Sequence, residues 1–141
     1  KEDKEGLNKM THLEGKGVID YNYNEDILYF YIERFITKGE HKYDYSFDLD
    51  GFIIDIDGDG HVIAIELLEA SEKLNVPRMV LKFIKGGNFK AKVEKDLILV
   101  SFSLTSVIRN KLQQFTLNAE RLNTPKLQEA GIECQITPMV Q

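Results

Sequence analysis

The sequence predicts a mainly β fold of the α+β class: an antiparallel β-sandwich-like meander with one or two short helices. Apolar and polar residues alternate with a period of two along most of the chain, and these stretches are rich in β-branched and aromatic residues. Glycine, aspartate and asparagine separate the stretches, as turns between strands require. With 141 residues, of which 43% are hydrophobic and 29% charged, the chain can bury a core without metals or disulfides.

The polar opening of the chain predicts a flexible N-terminal segment at residues 1–16, followed by a single β-rich domain at residues 17–141. Within the domain we predict a meander at 18–75 and a second β-rich half at 79–136. The predicted strands of the meander are 18–23, 27–32, 43–49, 52–57 and 61–68, with turn residues between them.

Helix-forming residues without alternation predict one or two helical turns at 69–75, before Pro77. Thr124 and Pro125 fit the start of a second short helix that ends at Ala130. The second half also has predicted strands at 79–84, 89–95, 97–108, 112–119 and 132–136. We expect Ile54 and Leu99 to be core positions, so that alanine at either would cost a few kcal/mol.

Residues 55–66 read DIDGDGHVIAIE, which is the spacing of an EF-hand calcium loop. An EF-hand loop is flanked by helices, whereas here both flanks have the pattern of strands. A strand over 61–66 would carry Glu66 about 20 Å from Asp59, too far to share an ion. We therefore predict a plain hairpin turn and favour no metal site. The candidates for a cation at the hairpin tip are Asp55, Asp57 and Asp59.

An ordered series of residues also matches a known family pattern. It includes an aspartate-x-leucine-tyrosine motif, an aspartate-x-aspartate motif, an acid-glycine turn and an alanine-serine pair that opens a helix. The matching residues are Asp20, Tyr21, Asp26, Leu28, Tyr29, Gly51, Ile53, Ile54, Asp55, Asp57, Asp59, Gly60, Ile65, Glu66, Ala70 and Ser71.

With this series, residues 18–72 resemble the domain-of-unknown-function family 2283. Ala64 departs from the family's usual glycine, and residues 30–42 are longer than its connector. The resemblance implies a β-rich fold in which the aspartates belong to a hairpin. It supplies no activity, cofactor or catalytic residue.

The sequence favours no enzyme class, and we predict no catalytic residue and no cofactor. Asp55, Asp57 and Glu66 are the acids that a small hydrolase-like enzyme, the third hypothesis, would use. His61 is expected at the surface beside the turn. The single cysteine, Cys134, fits a small core residue in a reducing cytoplasm, where we expect the protein to be located.

The net charge of −5, with both signs spread along the chain, argues against nucleic acid as a partner. No apolar run is long enough to span a bilayer, so no membrane association is expected. Strands 27–32 and 97–108 have apolar residues on both faces, and the predicted helices cover little of the sheet. We therefore predict a non-enzymatic protein-interaction or assembly module, which binds either a second copy of itself or another protein. A sandwich within one chain that covers these strands itself, with no partner, is the other explanation of the same pattern. The alternative function is a calcium-binding module.

Overall fold

The computed structural model describes residues 11–33, 35 and 42–138, and in this part strands dominate. The nine strands are β1 (Thr11–Asn22), β2 (Ile27–Ile32), β3 (Tyr43–Leu49), β4 (Phe52–Asp57), β5 (Val62–Leu67), β6 (Ile84–Val93), β7 (Leu97–Ile108), β8 (Lys111–Leu122) and β9 (Ala130–Pro138). Two short helices, α1 (Ala70–Leu74) and α2 (Arg78–Leu81), connect β5 to β6. The predicted mainly β fold with one or two short helices is confirmed.

The nine strands form one hydrogen-bonded sheet in the order β3-β4-β5-β2-β1-β9-β6-β7-β8. All neighbouring strands are antiparallel except β1 and β9, which are parallel. The second half of β1 pairs with β2, and the first half pairs with β9. β1 therefore joins two layers, which we call the first layer (β3, β4, β5 and β2) and the second layer (β9, β6, β7 and β8).

The two layers pack face to face through aromatic side chains. Phe30 in β2 stacks on Phe102 in β7 with ring centroids 4.2 Å apart, and it also contacts Phe89 in β6 at 5.3 Å. Phe52 in β4 stacks on the same Phe102 at 6.1 Å. These rings are buried among isoleucine, leucine and valine side chains from both layers, including Ile54. The layers thus share one core, as a sandwich does.

Residues 11–16 were predicted to be part of a flexible N-terminal segment, but they belong to β1 and pair with β9. The prediction for residues 1–10 lies outside the described residues. Leu99 is not a core residue, because alternation in β7 points Ile98 and Val100 to the core and Leu99 to the outer face, where it is half-buried.

Two predicted elements are wrong. Residues 79–84 do not form a strand: α2 ends at Leu81 and β6 begins at Ile84. The Ser106 side chain donates to the carbonyl oxygens of Val80 and Phe83 and so holds this turn against β7.

No helix forms at 124–130. The buried Asn123 side chain instead organises this loop, because its amide donates to the carbonyls of Glu94, Lys95 and Leu127 and its oxygen accepts from the Leu127 N–H. An asparagine that binds the main chain in this way competes with helix formation.

Candidate functional site

The calcium-like sequence forms the tip of the β4–β5 hairpin. Asp57 ends β4, and one of its carboxylate oxygens accepts from the N–H groups of Asp59 and His61 at 2.9 and 2.8 Å. The other oxygen lies 3.1 Å from His61 Nδ1. The Asp57 side chain is only 3% exposed, so it is an integral part of the turn.

One ligand atom from each of Asp57, Asp59 and His61 lies within 4.8 Å of the other two. This set differs from the three predicted candidates, because Asp55 is replaced by His61. Sequence alternation suggested that Asp55 and Asp57 point together, but the Asp57 carboxylate binds the loop that follows β4. In addition, β5 carries one extra residue, Ile63, between the partners of Asp55 and Ile56, so the pairing of β4 with β5 shifts at this point. The approach of His61 to Asp57 depends on the turn and could not be predicted from spacing alone.

Asp55 belongs to a second polar cluster, on the outer face of the first layer. It accepts a hydrogen bond from the Ser46 hydroxyl at 2.7 Å and another from Tyr29. Burial raises the pKa of Asp55 in spite of these hydrogen bonds. Glu66 in β5 has a raised pKa because it is partly buried and close to the Asp55 charge. Burial and the two carboxylates raise the pKa of Tyr29 to about 12.

Glu66 lies opposite Ile53 and Tyr29 in the sheet, and it is absent from the metal-capable group at the hairpin tip. The EF-hand ligand geometry is therefore not formed. Two acids with raised pKa values and a tyrosine could exchange a proton or accept a cationic group. Tyr29 and Ser46 were not among the predicted site residues, because only the strand register brings them to Asp55.

Asp26 is the aspartate of the aspartate-x-leucine-tyrosine motif of the family. Its side chain accepts from the Tyr21 hydroxyl at 2.7 Å, from the Ser71 N–H at 3.0 Å and from the Ser71 hydroxyl at 2.7 Å. Its own carbonyl accepts from the Ala70 N–H. Arg78 Nε lies 3.7 Å from the carboxylate. The aspartate and the alanine-serine pair thus tie the β1–β2 turn to the first turn of α1, which is a structural role.

The outermost strand of the second layer, β8, is an open edge. Its 12 residues pair with β7 on one side only, and no other described strand pairs with its outer side. Between Leu112 and Ala119 the strand carries no charge, and it contains no proline. Leu112 and Leu122, near its ends, are 70% and 66% exposed.

The opposite edge strand, β3, is protected in three ways. It has only seven residues, its register shifts between Tyr43 and Tyr45, and it carries Asp44 and Asp48. Short length, bulges and charges are the features by which proteins prevent edge strands from pairing with other chains. β8 lacks a bulge and has no charge in its central part.

Comparison with known proteins identifies relatives of unestablished function. The family model described as "Protein of unknown function (DUF2283)" matches residues 18–71, which confirms the resemblance. A protein of Methanosarcina mazei named "Putative hypoxanthine phosphoribosyltransferase" is 34% identical over 108 residues, covering 77% of this chain and 83% of the relative. "Uncharacterized protein MJ0789" of Methanocaldococcus jannaschii is 34% identical over 115 residues, covering 81% and 94%. No solved structure matches the chain.

Proposed function

Because this chain belongs to the DUF2283 family of proteins of unknown function, we propose its function from its structure: it is a non-enzymatic assembly module whose copies join by strand addition at the β8 edge. The β8 edge is the side of residues 111–122 that points away from β7 in the plane of the sheet. The observation that carries the proposal is the contrast between this long, centrally uncharged edge and the protected edge at β3. We propose that the protein works in the cytoplasm, in line with its single cysteine.

An open strand edge presents N–H and C=O groups to solvent in a regular row. Another strand can satisfy all of them at once, which gives affinity through the main chain with few demands on side chains. On β8 the Glu120 carbonyl in this row already accepts a side-chain hydrogen bond, from Arg121 Nη1 at 2.8 Å, and would exchange it for one from the added strand. On the face of β8 that is turned to the core, Leu117 and Ala119 pack against the core and are only partly buried. A strand added beside them would extend the core and cover these apolar groups.

Sedimentation velocity over protein concentrations from about 1 µM to about 1 mM tests the proposal. We expect the wild type to associate and the Thr116→Lys variant to remain monomeric, because a lysine in the middle of an edge strand opposes pairing. Thr116 is exposed on the outer face, so the variant should fold normally. Thr105→Lys is the matched control, since it adds the same charge to the same face of the sheet, but in β7 and away from the edge. A wild type that stays monomeric throughout, or association that Thr116→Lys leaves intact, would overturn the proposal.

The name of the Methanosarcina mazei relative raises a different hypothesis, phosphoribosyl transfer. Proteins hold diphosphate groups with main-chain N–H groups at a glycine-rich loop or at a helix N-terminus. Helices α1 and α2 have only five and four residues, and Gly86 and Gly87 lie inside β6. Gly58 and Gly60 lie in the turn between β4 and β5, which leads into a strand and not into a helix. We therefore do not extend that name to this chain.

The second candidate function is divalent-cation binding, favoured by the convergence of Asp57, Asp59 and His61. An imidazole nitrogen suits zinc or manganese better than calcium, which prefers oxygen ligands. The test is thermal unfolding with millimolar calcium, zinc or manganese, and again with chelator. A rise in Tm that Asp59→Asn removes would establish a site. Unchanged Tm values would leave the hairpin as a turn.

A further inference from the structure

We propose that the strand that adds to β8 is the β8 of a second copy, and that the two copies form a closed two-fold dimer with Leu117 opposite its own counterpart. This inference rests on the proposed function and specifies its partner strand and register. The alternative partner strand is β3 of a second copy, which would leave two free edges at every step and so produce an open filament. The bulge and the two aspartates of β3 disfavour that arrangement.

The β7–β8 turn determines which main-chain groups of β8 face outwards. Its two residues, Arg109 and Asn110, have φ values of 52° and 63°, as in a type I′ hairpin, so the flanking pair Ile108 and Lys111 exchanges both hydrogen bonds. Odd-numbered residues of β8 therefore direct their N–H and C=O groups to β7, and even-numbered residues direct theirs to the open edge. The hydrogen bond from the Asn123 N–H to the Asp96 carbonyl, at 2.8 Å, agrees with this assignment, because Asn123 is odd-numbered and Asp96 directly precedes β7.

Two antiparallel β8 strands can exchange hydrogen bonds only through their outward-directed groups, which belong to even-numbered residues. The two-fold axis must therefore bring even-numbered residues of one copy opposite even-numbered residues of the other. With the axis at Leu117, Leu112 of each copy lies opposite Leu122 of the other. The two leucines that are most exposed among the described residues therefore cover each other, twice in every dimer. All six outward-facing residues of each copy are paired in this register. The further outer-face pairs are Gln114 with Glu120 and Thr116 with Asn118, and the inner-face pairs include Phe115 with Ala119.

Neighbouring registers are less favourable. With the axis at Thr116, Leu112 would lie opposite Glu120, and Lys111 would lie opposite Arg121. Like charges directly opposite each other in a sheet are destabilising. With the axis at Asn118, Leu112 would lie opposite Thr124, beyond the end of β8. The Leu117 register alone among these three avoids both faults.

The size of the contact predicts a weak dimer. A 12-residue strand is about 40 Å long, and a strip of that length about 10 Å deep buries roughly 800 Å² over both copies. Interfaces of this size are at the low end of specific contacts, so we expect a dissociation constant in the micromolar range.

Disulfide cross-linking between two single-cysteine variants tests the register. In a Cys134→Ser background, so that the introduced thiol is the only one, Leu112→Cys and Leu122→Cys are prepared separately, mixed at about 1 mM and oxidised mildly with diamide. Opposite residues of an antiparallel pair lie within reach of a disulfide. We expect covalent dimers in the mixture and almost none in either variant alone, because equivalent cysteines would then be about 30 Å apart. Both side chains are exposed, so folding should be preserved.

A cysteine scan over residues 115–118, one variant at a time, locates the axis independently. In the proposed register, Leu117→Cys cross-links to itself at least tenfold faster than its neighbours. A maximum at another residue, or equal cross-linking of the mixture and the separate variants, would overturn the register. No cross-linking at any position, together with association that Thr116→Lys abolishes, would overturn the β8–β8 pair but leave strand addition at β8 intact. A protein that remains monomeric would overturn both.

Discussion

Replacing Asp26 by asparagine should destabilise the protein by about 2 to 3 kcal/mol at pH 7. Hydrogen bonds to a charged group contribute about 1.5–3 kcal/mol each, and the carboxylate accepts three of them, from Tyr21 and from the N–H and hydroxyl of Ser71. Asparagine retains one acceptor oxygen and tolerates the left-handed backbone of residue 26, where φ is 58°. Its NH₂ group replaces one carboxylate oxygen and cannot accept the hydrogen bond from the Ser71 hydroxyl, and the attraction to Arg78 is lost.

The effect should depend on pH with a defined sign. Burial alone would raise the pKa of Asp26, but the hydrogen bonds from Tyr21 and Ser71 and the charge of Arg78 outweigh it and hold the pKa below its ordinary value. A carboxyl group with a lowered pKa in the folded state stabilises the protein above its unfolded pKa of about 3.9. That stabilisation is lost as the pH falls through the folded-state pKa. The difference between wild type and Asp26→Asn should therefore shrink below about pH 4.

Urea unfolding at pH 7 and at pH 3 measures both effects. The experiment uses dilute protein, so that association does not contribute to the free energy of unfolding. Asp44→Asn is the control, because Asp44 is an exposed aspartate in β3 and its replacement should change stability by less than about 0.5 kcal/mol. If Asp26→Asn changes the free energy of unfolding by less than about 0.5 kcal/mol at pH 7, the proposed structural role of Asp26 is refuted. The role is also refuted if the difference in stability between the wild type and Asp26→Asn is as large at pH 3 as at pH 7.

Three further predictions concern packing, backbone and charge. Ile54→Ala should cost about 3 kcal/mol because Ile54 is fully buried, whereas Leu99→Ala on the outer face should cost less than about 1.5 kcal/mol by urea unfolding. Gly87→Ala should cost at least about 2 kcal/mol, since φ is 143° and a Cβ would overlap the main chain of β7, while Gly58→Ala, where the space is open, should be nearly neutral. Burial and the charge of Asp55 raise the pKa of Glu66, so the ionisation of Glu66 opposes folding. The stability that the protonated Glu66 contributes is fully present below its unfolded-state pKa, and it is lost as the pH rises through the folded-state pKa. Glu66→Gln should therefore raise Tm at pH 7 and have little effect near pH 4, and a lower Tm at pH 7 would contradict this reasoning.

Local sequence predicted most strands because each depends on alternation within a few residues. β4, at Phe52–Asp57, begins and ends where predicted, and the turn that follows it is the expected hairpin. The parallel pairing of β1 with β9 joins residues more than 100 positions apart, and no local pattern indicates it. The short helix α2 was not predicted, because a run of four residues of which three are apolar fits a strand or a helix equally well.

The candidate sites were predictable to different degrees. The flanking strand patterns correctly predicted a turn in place of an EF-hand, since only strand periodicity was needed. The role of His61 and the neighbours of Asp55 depend on turn geometry and on pairing with β2 and β3, so the sequence did not indicate them. The β8 edge could not be identified either. A strand's position at the edge of a sheet is a property of the topology.

Amide hydrogen exchange in β8 at low and high protein concentration tests the proposed strand addition most directly. In dilute protein, the odd-numbered amides from 111 to 121 should be protected by β7, and the even-numbered amides from 112 to 122 should exchange rapidly. At about 1 mM we predict that the even-numbered amides also become protected, and that Thr116→Lys abolishes this gain. Even-numbered amides that still exchange rapidly at a concentration where the protein is associated would contradict assembly through β8.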